Sequence, residues 1–150
     1  MIKPFIAASS YLNAAPLWYS FLYGEQKSHC TLVSDVAPVR CAQLLAERRA
    51  EAALIPVIEY QRQADLLIAP GDARRVDFRA ARREGIAHAE ELAAIYSEQL
   101  GLPKNDLVSY LTKNIHYDLD DESLKGLQLY YELAYECGLI AEARPLIFCE

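Results

Sequence analysis

SSYLNAAPLW, residues 9–18, follows the short apolar run Phe5-Ile6-Ala7-Ala8. Four apolar residues bounded by polar ones predict a short buried strand. Pro16 suits the first turn of a helix and Gly24 its stop, so a helix is predicted over Pro16 to Tyr23. The quoted stretch is then a strand-to-helix turn, crowded with the hydrogen-bonding side chains of Ser9, Ser10, Tyr11 and Asn13. A helix N-terminus offers unpaired N–H groups and a partial positive charge, a ready site for a carboxylate or phosphate. In open α/β sheets, ligands sit beyond the carboxyl ends of the strands, where this turn falls. Two readings follow. The turn holds an anionic small molecule, or Ser10 or Asn13 simply caps the helix.

Outward from the turn, strand and helix signals alternate. Cys30 to Val36 is rich in β-formers and predicts a second strand. Pro38 opens a helix through Arg49, with Val39, Ala42, Leu45 and Ala46 on one face. Ala52 to Ile55 predicts a third strand, ending at Pro56, and a short helix with Ile58 and Tyr60 follows. Leu66-Leu67-Ile68-Ala69 is a fourth strand candidate. Such alternation predicts an α/β fold: a mostly parallel sheet, its N-terminal strand central, with flanking helices. The stretch LIPVIEY, residues 54–60, repeats the arrangement of the first turn, and Glu59 and Tyr60 are candidates to face the same cleft. The competing reading makes Glu59 a first-turn acid and Tyr60 a core residue.

After Pro70-Gly71-Asp72 the character changes. Helices are predicted over Asp77 to Glu84, ending at Gly85, and over His88 to Leu100, stopping at Gly101. Another starts at Pro103-Lys104-Asn105. The last has acids at Asp120-Asp121-Glu122, where they complement its dipole, and ends at Gly138. Six tyrosines fall in this half: Tyr96, Tyr110, Tyr117, Tyr130, Tyr131 and Tyr135. At helical spacing they read as core packing with a wet hydroxyl edge. The chain thus divides into an N-terminal part, 1–72, and a helical C-terminal part, 73–150, with a seam at residues 70–75.

The 150 residues suit one domain. The balance of 53% hydrophobic and 24% charged residues is that of an ordinary globular protein. A net charge of −6 argues against nucleic acid as the main partner. The local arginines, Arg74-Arg75 and Arg79 with Arg82-Arg83, read as a solvated helix face. No run is long or apolar enough to span a bilayer, and Met1-Ile2-Lys3-Pro4 opens no signal peptide, so the expected location is cytoplasmic. Cys30, Cys41, Cys137 and Cys149 form no CxxC pair and sit apart from His29, His88 and His116. They read as reduced, mostly buried thiols, and no metal site is expected.

Ser10-Tyr11-Leu12-Asn13 followed by Pro16-Leu17 resembles the signature near the start of the chorismate dehydratase family of menaquinone biosynthesis, of the futalosine pathway. Leu44-Leu45 with the run from Ala52 to Tyr60 is similar to the same family. So is the later series Tyr110-Leu111, Asn114-Ile115, Tyr117, Gly126-Leu127 and Gly138-Leu139-Ile140. The resemblance runs along nearly the whole chain in order. It implies one lobe of a fold like the type II periplasmic binding proteins, with the inserted second lobe absent between about 71 and 75. The implied reaction is a hydro-lyase step without cofactor, converting chorismate, a dicarboxylate, to 3-[(1-carboxyvinyl)oxy]benzoate. Asn13 matches the family's important asparagine, and Ser9, Ser10, Tyr11, Glu59 and Tyr60 would contact substrate. The family's serine in the second lobe has no counterpart here. The alternative is a non-catalytic α/β module that keeps half an anion cleft for binding or assembly. A bared cleft face, with Tyr11, Leu12, Tyr60 and Leu66 meeting water, predicts a homodimer or other self-association through that face.

Overall fold

Phe5–Ser9 forms strand β1 and is followed by a 3-10 turn, Leu12–Ala14, and helix α1, Ala15–Leu22. Strand β2 is Thr31–Val36, helix α2 Pro38–Ala46, strand β3 Ala52–Ala53 and helix α3 Val57–Arg62. A two-residue ribbon, β4 Asp72–Ala73 and β5 Val76–Asp77, leads into helix α4, Phe78–Ala87. Helices α5, Ala89–Leu100, α6, Lys104–Ser109, and α7, Asp121–Glu136, complete the chain. This computed structural model describes residues 3–69, 72–73 and 76–149. The expected breaker Pro70-Gly71 and the pair Arg74-Arg75 lie outside the described residues.

The sheet is parallel, in the order β2-β1-β3. β1 is central, as the alternation predicts. Its side chains divide between two layers. Ile6 and Ala8 join the main core with α1, α4 and α5, whereas Ala7 meets Cys41, Leu44 and Ala50 beneath α2. Small residues in the central strand let helices approach both faces. α4 approaches α1 so closely that a Cβ on Gly85 would lie 1.8 Å from the carbonyl oxygen of Pro16. Gly85 is thus a packing residue inside α4 and not the predicted stop. The stop comes two residues later.

Three other sequence expectations shift. α2 ends at Ala46, short of Arg49, because Arg48 turns left-handed at φ 56°. The Arg49 amide then donates to Leu44 O at 2.8 Å and the Arg48 amide to Leu45 O at 2.9 Å, closing a Schellman motif. β3 covers only Ala52–Ala53. Residues 66–69 add no strand to the sheet. Instead Ile68 makes a single parallel bridge to Phe148, its amide donating to Ile147 O while its carbonyl accepts from Cys149 N. The tail offers these groups because Arg144 fastens it, with Nη2 donating to Tyr60 O at 2.8 Å and Leu66 O at 3.0 Å.

α7 begins as expected, with Asp120 accepting from the Ser123 amide, and Gly138 takes φ 71° just past its end. A third cluster joins α7 to α3: Tyr131, Ala134 and Ile140 pack on Tyr60. Cys30 and Cys41 are buried free thiols, whereas Cys137 is exposed and Cys149 half-buried. Arg82 departs from the solvated face expected of it. It reaches beneath the loop after α6, donating to Tyr117 O at 3.0 Å and pairing with Asp118.

Candidate functional site at the carboxyl end of the sheet

β2 lies on one side of β1 and β3 on the other, and α1 and α2 pack on opposite faces. The order in which strands are added therefore reverses about β1, and the crevice beyond the carboxyl ends of β1 and β3 is a topological switch point. The SYLN turn leaves β1 there, and residues 54–57 leave β3 beside it.

The turn is held by its carbonyls. Trp18 Nε1 donates to Ser9 O at 2.9 Å, and the Tyr96 hydroxyl donates to Ser10 O. The Ala14 amide donates to Tyr11 O at 3.0 Å, and the Tyr117 hydroxyl donates to Asn13 O at 3.1 Å. Ser9 Oγ is buried and accepts from the Tyr11 amide at 3.2 Å. Burial pushes the Tyr117 phenol up to about 12, with Tyr110 adding to the shift, and burial also raises that of Tyr96. Both phenols stay protonated donors at neutral pH.

The side chains of Ser10 and Asn13 are left exposed, with no hydrogen-bond partner among the described residues. Neither caps α1, whose N-cap is Ala14 and carries no side-chain cap. The capping alternative therefore fails, and of the turn's polar side chains Ser10, Tyr11 and Asn13 are exposed whereas Ser9 is buried. Leu12 and Asn13 open the 3-10 turn, so their amides have no acceptor within it. α1 follows directly, so the positive end of its dipole lies at this turn.

Beside the turn lies a groove of about 630 Å³. Tyr11, Leu12 and Asn13 form one wall, and Leu102, Asp106 and Tyr110 stand across it. Tyr110 opens a π-helical turn, Tyr110–Asn114, a feature frequent at functional sites. The groove lining holds one acid, Asp106, and no basic side chain among the described residues. No three His, Cys, Asp or Glu side chains converge as a metal site among those residues. No helix among them is long and apolar enough to cross a membrane.

Ser9, Ser10, Tyr11 and Asn13 are brought together. Glu59 and Tyr60 stand on α3 beyond β3. Glu59 accepts from Arg62 at 2.8 Å. Tyr60 is buried, its hydroxyl donating to Pro145 O and accepting from the Ile147 amide, both at 2.8 Å, and the Arg144 guanidinium covers its ring at 4.0 Å. The expectation of a bared cleft face is corrected in part. Leu12 and Tyr60 are buried and Leu66 half-buried, because the C-terminal helices and tail cover them, and Tyr11 alone is well exposed.

Tyr96 and Tyr117 carry more of the site than their sequence reading as core tyrosines suggests. Both come from the helical half, as does the wall formed by Leu102, Asp106 and Tyr110. Residues 71–136 match a family model described as menaquinone biosynthesis. No curated protein and no solved structure matches the chain. The menaquinone-biosynthesis match falls on the segment that pins the SYLN turn and walls the groove, and it supports a role in menaquinone biosynthesis.

Proposed function

We propose that this chain is a single-lobe relative of the chorismate dehydratases and that it binds chorismate at the SYLN turn. The observation that carries the reading is the turn itself. Its carbonyls are taken up by Trp18, Tyr96 and Tyr117, while the Ser10 hydroxyl, the Asn13 amide and the opening amides face outward beside α1. The family match over residues 71–136 supports the same pathway. A carboxylate of the substrate accepts from the amides of Leu12 and Asn13 and from Ser10 Oγ, in the field of α1. Asn13 orients the departing hydroxyl or the second carboxylate, and Tyr11 lies along the ring. Glu59 stands at the neighbouring strand end, and Tyr60 holds the tail behind it. The ring hydroxyl leaves with a ring hydrogen as water, and aromatisation drives the step. The protein's part is positioning and charge stabilisation.

A second reading is favoured by one observation: among the described residues the groove lining offers no basic side chain to hold a second carboxylate opposite the turn. In that reading the chain binds the dicarboxylate from one side without turning it over. Incubation with chorismate, followed by chromatography for 3-[(1-carboxyvinyl)oxy]benzoate, tests both. Product above the spontaneous rate, lost in Asn13→Ala at unchanged melting temperature, supports the dehydratase. Calorimetric binding without product selects the binding module. Absence of both binding and product overturns the proposal.

A further inference from the structure

α7 is apolar on two sides. Tyr131 and Ala134 are buried against α3 and Ile140. On the other side Leu129, Tyr130 and Leu133 stand 54%, 42% and 49% exposed, and Leu139, just past the helix, stands 62% exposed. Positions 126, 129, 130, 133 and 137 follow the i, i+3, i+4, i+7, i+11 spacing of one helical stripe, about a third of a turn around the helix from the buried one. Gly126 begins that stripe, and nothing lies within 4 Å of the place its Cβ would take. A surface helix ordinarily turns a polar face to water; apolar stripes on both sides mark a helix covered on both.

From this face we infer that α7 is the self-association surface of the chain, with two copies packed antiparallel about a twofold axis near residue 131. The inference is independent of the proposed chemistry. The area suits a second copy. Four large side chains at about half exposure offer on the order of 400 Å² per copy, near the largest patch an ordinary monomer leaves open. Doubled, and with its polar rim added, the contact reaches the roughly 1,000 Å² that a specific interface needs. The face is also self-complementary, as a twofold contact requires. An antiparallel pair sets Leu129 against Leu133 of the partner subunit, with Gly126 letting the helix backbones close in. Lys125, exposed on the flank, then lies across from Glu136 of the partner subunit, twice per dimer.

The test is sedimentation velocity of the purified full chain under reducing conditions, from 1 to 100 µM, with circular dichroism as the folding control. Expected are a native dimer, a Leu133→Glu variant that is folded and monomeric throughout, and about tenfold weaker association in Lys125→Glu. The charge swap Lys125→Glu with Glu136→Lys restores it. A native chain that stays monomeric at 100 µM overturns the inference. So does a dimer that survives Leu133→Glu, or a monomer that instead sediments with phosphatidylcholine vesicles. A charge swap that fails to restore association overturns the antiparallel arrangement.

Discussion

Gly85→Ala is expected to loosen the contact between α1 and α4 on which the candidate site rests. The added Cβ would sit 1.8 Å from Pro16 O, 2.6 Å from Pro16 C and 2.8 Å from Pro16 Cα, all backbone atoms that no rotamer change can move aside. The two backbones must part by roughly 1.5 Å before the contact becomes an ordinary one. Overpacking of this kind costs about 1–3 kcal/mol, and with backbone on both sides the upper end applies. Helix propensity returns up to about 1 kcal/mol for glycine to alanine. The net expectation is a loss of about 2 kcal/mol, or roughly 4–8 °C in melting temperature at this chain length. Gly126→Ala is the control, because nothing stands within 4 Å of its Cβ position. There the same exchange in a helix gains about 0.5–1 kcal/mol. Thermal melts and urea unfolding followed at 222 nm, at concentrations too dilute for association, read both. Two variants shifted in the same direction would refute the close approach. If the chain binds chorismate at the SYLN turn as proposed, Gly85→Ala should also weaken that binding, because Pro16 lies three residues after Asn13, whereas Gly126→Ala should leave it unchanged.

Arg48→Gly should stabilise the chain by about 0.5–1 kcal/mol, since Arg48 holds φ 56° at a helix end where glycine pays no steric cost; a lower urea midpoint would count against the Schellman end. Tyr60→Phe strips partners from Pro145 O and the Ile147 amide and should cost about 1–3 kcal/mol, with the tail cut sooner by protease. An unchanged cleavage rate would show that Arg144, Gln61 and the Ile68 bridge fasten the tail without the Tyr60 hydroxyl. Stability should also fall in alkali. The phenols of Tyr19, Tyr117 and Tyr131 are pushed up to about 12, each chiefly by burial, whereas an unfolded chain releases these protons near pH 10. The native state therefore binds more protons than the unfolded one above pH 10. The contribution is intact below about pH 10 and is lost as pH rises through about 12. Urea midpoints at pH 8, 10 and 11.5 measure it, and a flat profile would refute the burial of these groups.

What was legible in the sequence was local. Pro16, Pro38 and Asp120 open helices with their own chemistry, and Gly101 and Gly138 end them by turning left-handed, so these boundaries fall where local rules put them. What was not legible depended on a neighbour distant in sequence. Gly85 has the same composition signal as a helix stop, yet Pro16, sixty-nine residues earlier, makes it a contact. Residues 66–69 carry a strand's apolar run, but the tail and Arg144 take their backbone groups, and the sheet does not. The site divides along the same line. Ser9, Ser10, Tyr11 and Asn13 could be read from one short stretch, because a strand-to-helix turn is a local object. The donors that hold its carbonyls, Tyr96 and Tyr117, come from 86 and 104 residues away and read in sequence as helix tyrosines. That separation bears on the proposed site. A capping side chain would have consumed Ser10 or Asn13 in holding the turn. Because distant phenols do that work, the side chains of Ser10 and Asn13 keep their hydrogen-bonding capacity for the anionic ligand proposed above, while Ser9 Oγ is taken up by the Tyr11 amide.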